Sequence, residues 1–124
     1  MRNPLLLKNF AAGADIAPFR IVKFSTTDDL VVQAAAATDA LLGVVELGAA
    51  TGERVDVITH GIAEVEYGGT VTRGALLTSD TSGRAVAAAP ATGVNNRIIG
   101  IAGVSGVSGD VGSVILYPGS IQGA

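Results

Sequence analysis

Between residues 54 and 67 the chain reads RVDVITHGIAEVEY, and Val55, Val57, Thr59, Ala63, Val65 and Tyr67 alternate with Arg54, Asp56, His60, Glu64 and Glu66. A period of two places the first set on one face of a strand and the charged set on the other. Gly61 interrupts the run, as a β-bulge or a close backbone approach does. Ile58 and Ile62 fall on the charged face with His60. Either Gly61 shifts the register and returns the isoleucines to the core, or the three residues mark a contact between subunits.

Shorter β segments flank this one. Residues 18–25 (PFRIVKFS) are β-rich and end in the turn cluster STTDD; LVVQA follows at 30–34. The Ala-rich stretch with Thr38 and Asp39 fits a loop or one helical turn. Residues 68–89 read as a hairpin, with Leu76 and Leu77 before an SDTSG turn and RAVAA returning. After the loop PATGVNN, a last strand is expected to stop at Tyr117-Pro118-Gly119. The first dozen residues and the tail SIQGA show no period and read as arms. Short strands at this spacing, without a convincing helix, indicate an all-β chain, a small β-barrel or sandwich.

One phrase occurs twice. LLGVVELGAATGERVDVI (41–58) overlays IIGIAGVSGVSGDVGSVI (98–115) at a constant offset. Gly43 then meets Gly100, Gly52 meets Gly109, Glu53 meets Asp110, and Val57-Ile58 meets Val114-Ile115. Each copy is a strand, a turn of small residues with a glycine and an acid, and a returning strand. Four identities in eighteen positions support a shared architecture more than a duplication.

Composition narrows the function. Charged residues are 15% of the chain, below a typical ~25%, and mean hydropathy is +0.50. A chain with so little charge buries apolar surface against copies of itself or a partner. The net charge of -3 and eight scattered Lys and Arg residues argue against nucleic acid, whose phosphates need clustered cations. Without cysteine there is no disulfide framework or thiolate metal site. The opening MRNPLLLKNF is not a signal peptide, because Lys8 ends a run of only three leucines, and no stretch has the ~18 apolar residues of a membrane span.

Catalytic and cofactor chemistry find little support. His60 is the single histidine and has no motif around it; it reads as a surface or interface residue. Glu64 and Glu66 share a strand face and read as solvated rather than as an acid pair or a hard-cation site. Asp28, Asp29 and Asp80 sit in turns, where Asp caps its own backbone. GVSGVSGDVGS (103–113) lacks the Gly-Lys-Ser/Thr ending and following helix of a phosphate loop, so it reads as a hairpin loop. No catalytic residue, metal site or cofactor is expected.

Two features point outward. NPLLLKNF offers Pro4, Leu5, Leu6, Leu7 and Phe10, either as a strand docked on its own barrel or as an arm that adds a strand to a neighbour's sheet. The other is the Ile58, His60, Ile62 group.

Taken together, PFRIVKF with its acidic turn, the segment LLGVVELGAATGERVDVITHGIAEVEYGGTVTRGALLTSDTSGRAVAA and the closing IIGIAGVSGVSGDVGSVILYPG resemble the phage capsid cement, or head decoration, proteins. Gly43, Gly52-Glu53, Gly61, Gly74, Asp80, Gly83-Arg84 and Gly100 carry the likeness as an ordered set. The resemblance implies a β-tulip-like barrel over residues 18–119, an extended N-terminal arm at 1–17 and a tail at 120–124. It further implies a homotrimer on the outer surface of the expanded phage head, bridging major capsid protein subunits, made in the bacterial host cytoplasm. By the same likeness, Pro4, Leu5, Leu6, Leu7 and Phe10 would anchor the chain on the capsid. The alternative is a small ligand- or receptor-binding β-barrel module on a virion.

Overall fold

The computed structural model describes residues 2–123; Met1 and Ala124, the ends of the expected arm and tail, lie outside these. Nine strands form a single sheet: β1 (Asn3–Ala12), β2 (Arg20–Phe24), β3 (Leu30–Gln33), β4 (Leu41–Val45), β5 (Arg54–Glu66), β6 (Leu76–Ser79), β7 (Ala85–Ala87), β8 (Asn95–Ala102) and β9 (Val111–Gln122). The described residues contain no helix. The strand order is β1-β3-β2-β4-β5-β9-β8-β6-β7, and β1 also pairs with β5. That extra pairing closes β1, β3, β2, β4 and β5 into a ring. A second ring follows β5, β9, β8, β6 and β7, and is completed by a parallel bridge between Tyr67, just after β5, and Ala85 of β7. The long alternating strand β5 is common to both.

The two rings repeat each other residue by residue. Antiparallel partners Phe10 and Val55, Lys8 and Val57, and Leu7 and Ile58 recur as Val65 and Gly112, Ala63 and Val114, and Ile62 and Ile115. Val44 opposite Ile58 recurs as Ile101 opposite Ile115, and Ile21 opposite Val44 as Leu76 opposite Ile101. The turns match as well. Gly52 donates to the Ala12 carbonyl, and Ala12 donates to that of Glu53, both at 2.8 Å; Gly109, Tyr67 and Asp110 make the same pair at 2.9 and 2.7 Å. The Glu53 carboxylate accepts from the Ala50 amide as that of Asp110 does from Val107. Gly52 and Gly109 both hold positive φ, at 87° and 92°, which a side chain resists. A Cβ on Gly43 would strike the Ile58 carbonyl oxygen, and one on Gly100 that of Ile115. The twice-used phrase is therefore the visible part of a structural duplication spanning nearly the whole chain.

The core divides accordingly. Phe10, Ala12, Ile16, Val22, Val31, Val45, Val55 and Val57 fill the first ring. Their counterparts Val65, Tyr67, Val71, Leu77, Ala85, Ala102 and Val114 belong to the second cluster. That cluster also takes in Ile21, Ala34, Leu41, Val44 and Ile58 from the outer face of the first half. Adjacent residues thus face different cores, as with Ile21 and Val22, Val44 and Val45, and Val57 and Ile58.

β5 changes face midway. Leu6 is opposite His60 and Leu7 opposite Ile58, so Thr59 is an extra residue on β5; Leu5 is an extra residue on β1. Gly61, at φ 99°, lies beside this double bulge. Odd-numbered residues face the first core up to Val57 and the second from Ala63 onward.

At the N-terminal end the docked-strand alternative holds, and both ends are more ordered than the patternless arms also expected there. Residues 3–12 form β1, so the sheet begins at Asn3 and not near residue 18. Period two is missing over residues 5–7 because Leu5, Leu6 and Leu7 are all exposed; only Phe10 and Ala12 of this strand are buried. At the other end β9 runs through Tyr117, Pro118 and Gly119 to Gln122, opposite Asn95. Pro118 is tolerated because it falls in the irregular stretch between the Gly100–Leu116 and Ile98–Gly119 pairs.

Candidate functional site

The expected arm residues separate into two groups. Leu5, Leu6 and Leu7 are 74%, 51% and 46% exposed, with Pro4 half-buried beside them. β5 runs along one edge of β1, while β3 joins the other only at Ala11 and Ala12, leaving the rest of that edge without a strand partner among the described residues. Phe10 behaves oppositely. It is buried in the first core, edge-on to Phe24 at 6.4 Å, with the Lys8 ammonium 5.9 Å from its ring. Phe10 therefore fastens β1 to its own barrel and is not an available capsid contact.

The proposed subunit contact also divides. Ile58 is 2% exposed and lies in the second core, because the bulge at Thr59 returns it inward; it is removed from the interface set. His60 remains exposed opposite Leu6, its Nδ1 3.1 Å from the Thr59 hydroxyl. Ile62 is half-buried opposite both Asn3 and Ile115.

Glu46, Glu66 and Asp80 are held in ion pairs. Glu66 is 3.0 Å from Arg20 and 3.7 Å from Arg84, and Arg84 also reaches Asp80 at 3.1 Å. This chain of charges ties the β6–β7 turn to the first half, where Gly83 accepts from the Ile21 amide and Gln33 donates to Ser82. The Glu64 amide donates to Glu46, which pairs with Arg2. Hydrogen bonds from the Thr51 amide and hydroxyl hold the Asp15 carboxyl below its ordinary range. Burial opposes ionisation of Asp39, but the Ala35 amide, Lys23 and the Ala36 amide outweigh it and leave that carboxyl lowered too. Burial raises the Tyr67 phenol, against the pull of its hydrogen bond to the Val104 carbonyl at 2.7 Å.

An open groove of about 290 Å³ lies beside β1 and β5, with Arg2, Asn9, Glu46, Arg54 and Asp56 among its walls. Those polar walls are engaged with one another: Arg2 with Glu46, Asn9 with Asp56 at 3.0 Å, and Arg54 with Asn9 at 2.6 Å. Among the described residues no three His, Asp or Glu side chains gather as metal ligands would.

What the sequence reading missed is an apolar row across four neighbouring strands: Ile62 on β5, Ile115 on β9, Ile101 on β8 and Leu76 on β6, each opposite the next. Ile115 is 41% and Leu76 38% exposed. The signal was present in the overlay of the two phrases, where Ile115 falls on Ile58, but which of the two is covered depends on how the halves stack.

The fold defines a small all-β protein, and its surface carries exposed leucines on β1 and an aliphatic row across β5, β9, β8 and β6. A family model of the phage cement proteins matches residues 8–117. The chain belongs to that family: it is a structural protein of the phage head and not an enzyme. Among solved structures, the head fibre gp8.5 N base of bacteriophage phi29 has the same fold, with a TM-score of 0.69 at 19% identity over 90% of this chain and 93% of that one. None of the curated proteins compared with the chain is detectably similar to it in sequence.

Proposed function

We propose that the protein is a capsid decoration protein that binds the outside of the expanded phage head as a trimer and stabilises contacts between major capsid protein subunits. In this reading it is made in the host cytoplasm and added to heads there. The family match over residues 8–117 carries the reading. The exposed leucines Leu5, Leu6 and Leu7, on a strand with one largely unpaired edge, support it by offering both apolar area and backbone donors and acceptors to a neighbouring sheet. Each such contact is modest, and many copies on one shell multiply through effective concentration.

Co-sedimentation with expanded, undecorated heads, followed by a thermal melt of those heads, tests the proposal. Saturable binding that raises the melting temperature of the heads is expected. Absence of binding overturns it and turns attention to a receptor- or ligand-binding module on the virion. The anchor is tested by the double variant Leu5→Asp, Leu6→Asp, which leaves Phe10 in place. Head affinity should fall about tenfold or more, the order expected for losing interfacial apolar anchors, while the protein's own melt stays near wild type. Unchanged affinity removes these residues from the contact.

A further inference from the structure

Among the described residues, two cations have no side-chain partner. Arg2, Arg20, Lys23 and Arg84 are held in ion pairs, Arg54 bonds Asn9, and Lys8 lies over the Phe10 ring, which leaves Arg73 and Arg97. Of these two, Arg97 lines a pocket. The pocket is open and about 350 Å³ in volume, and Leu41, Ile98, Pro118, Gly119 and Ser120 complete its wall. It lies where the β8–β9 ladder breaks between Ile98 and Gly100, and such irregularities re-aim side chains. No acid is among its walls, whereas the groove beside β1 closes its charges upon one another. At the offset of the twice-used phrase Arg97 falls on Ala40, so this cation belongs to the second half alone. Gly119 is the second observation. It sits opposite Ile98, its φ is outside the left-handed region, and a Cβ built on it would meet nothing within 4 Å. Gly43 and Gly100 are glycines because a Cβ would strike a carbonyl oxygen; nothing within the chain requires one at 119. Glycine weakens a strand, and where the chain itself gives no reason for it, close approach of another molecule does.

We propose that this pocket receives an acidic side chain from a loop of a head protein, with the carboxylate on the Arg97 guanidinium and the loop lying over Gly119. Charge complementarity selects the occupant: the guanidinium fork matches a carboxylate through two parallel hydrogen bonds, and no acid of the pocket competes for it. The floor of Leu41 and Ile98, both buried, removes water from one side of the pair and suits the methylenes of an acidic side chain. The proposal rests on the decoration reading for the identity of the partner. It adds to that reading a charged contact on β8 and β9, apart from the leucines of β1.

Co-sedimentation of the full chain with expanded, undecorated heads, at low and high salt, tests the assignment. Arg97→Ala should weaken binding about tenfold or more and Arg97→Glu about 100-fold, the range for truncating or reversing one member of a desolvated charge pair. The protein's own melt should not change, because Arg97 is exposed and unpaired. Salt should weaken the wild type more steeply than Arg97→Ala. Gly119→Val keeps the cation and fills the space above the strand; it should weaken binding about tenfold without lowering the melting temperature. Arg97→Ala carries the test if Gly119→Val disturbs the fold. Arg73→Glu makes the same charge change outside the pocket and should bind like wild type. An Arg97→Ala variant that binds like wild type overturns the proposal. So does an Arg73→Glu variant that loses as much as Arg97→Glu, because net charge and not the pocket would then set the affinity. Binding that survives every variant removes this contact alone and leaves the decoration reading standing. A wild type that ignores heads removes both.

Discussion

The first and second rings have one backbone plan and two different fillings. Where the first ring places Phe10, Ala12 and Val55, the second places Val65, Tyr67 and Gly112. The aromatic has moved two residues along its strand, and the residue facing it has shrunk to make room. A Cβ on Gly112 would collide with the Tyr67 ring, which is fully buried and tied by its hydroxyl to Val104. Core volume is thus conserved within each ring while its distribution is not. The comparison teaches that register and turn geometry define this fold, and that side chains are exchanged in compensating sets.

The largest effect should come from breaking one such set. Gly112→Val alone should destabilise the protein by about 3 kcal/mol or more, because Tyr67 has nowhere to move. Tyr67→Ala alone should cost about 3–5 kcal/mol through the cavity it leaves. Together they recreate the Ala12 and Val55 pairing of the first ring, and their combined cost should fall short of the sum by about 2 kcal/mol. Chemical denaturation of the four proteins measures this coupling; additive costs would show that the two rings are not filled by the same rule.

A second test uses equivalent residues in unequal settings. Ile58 and Ile115 hold the same register position, one at 2% and the other at 41% exposure. Ile58→Ala should cost about 3 kcal/mol, as buried aliphatic truncations do. Ile115→Ala should cost under about 1 kcal/mol in the monomer. Equal costs in dilute protein would mean that the second row is covered within one chain, and the comparison between halves would fail at its most informative point.

These pairs also explain how far the sequence could be read. The alternation in β5, the turns and the twice-used phrase were legible because period two and glycine placement are local. The bulge was foreseen at Gly61, and with it one of two fates for Ile58, yet choosing between them needed the pairing of Leu7 with Ile58. The duplication stayed hidden because its equivalences lie in register: Ala12 with Tyr67, and Val55 with Gly112, share a place and no chemistry. β1 stayed undecided between a docked strand and an arm because a strand with leucines exposed on both faces carries no period. Pro118 concealed the end of β9, since a proline in a bulge reads as a stop.

The smallest expected effect concerns a polar substitution between the halves. In the first, Lys23 pairs with Asp39 at 3.2 Å; the matching places in the second are Thr78 and Asn96, both uncharged and both buried. Asp39 accepts from the Ala35 and Ala36 amides at 2.8 and 2.9 Å, and its folded carboxyl lies below the ordinary value of 3.8. A lowered folded pKa contributes stability that is present above the unfolded value and is lost as pH falls through the folded one. Asp39→Asn imitates the second half and should cost about 1 kcal/mol at pH 7, the scale of a lost charge-assisted turn hydrogen bond. The difference from wild type should shrink as pH drops below about 4, where the unfolded carboxyl begins to hold its proton. Urea melts at pH 7 and pH 3 decide it. A gap that persists undiminished at pH 3 would mean that Asp39 acts through shape alone, and the exchange of an ion pair for neutral residues between the halves would carry no electrostatic meaning.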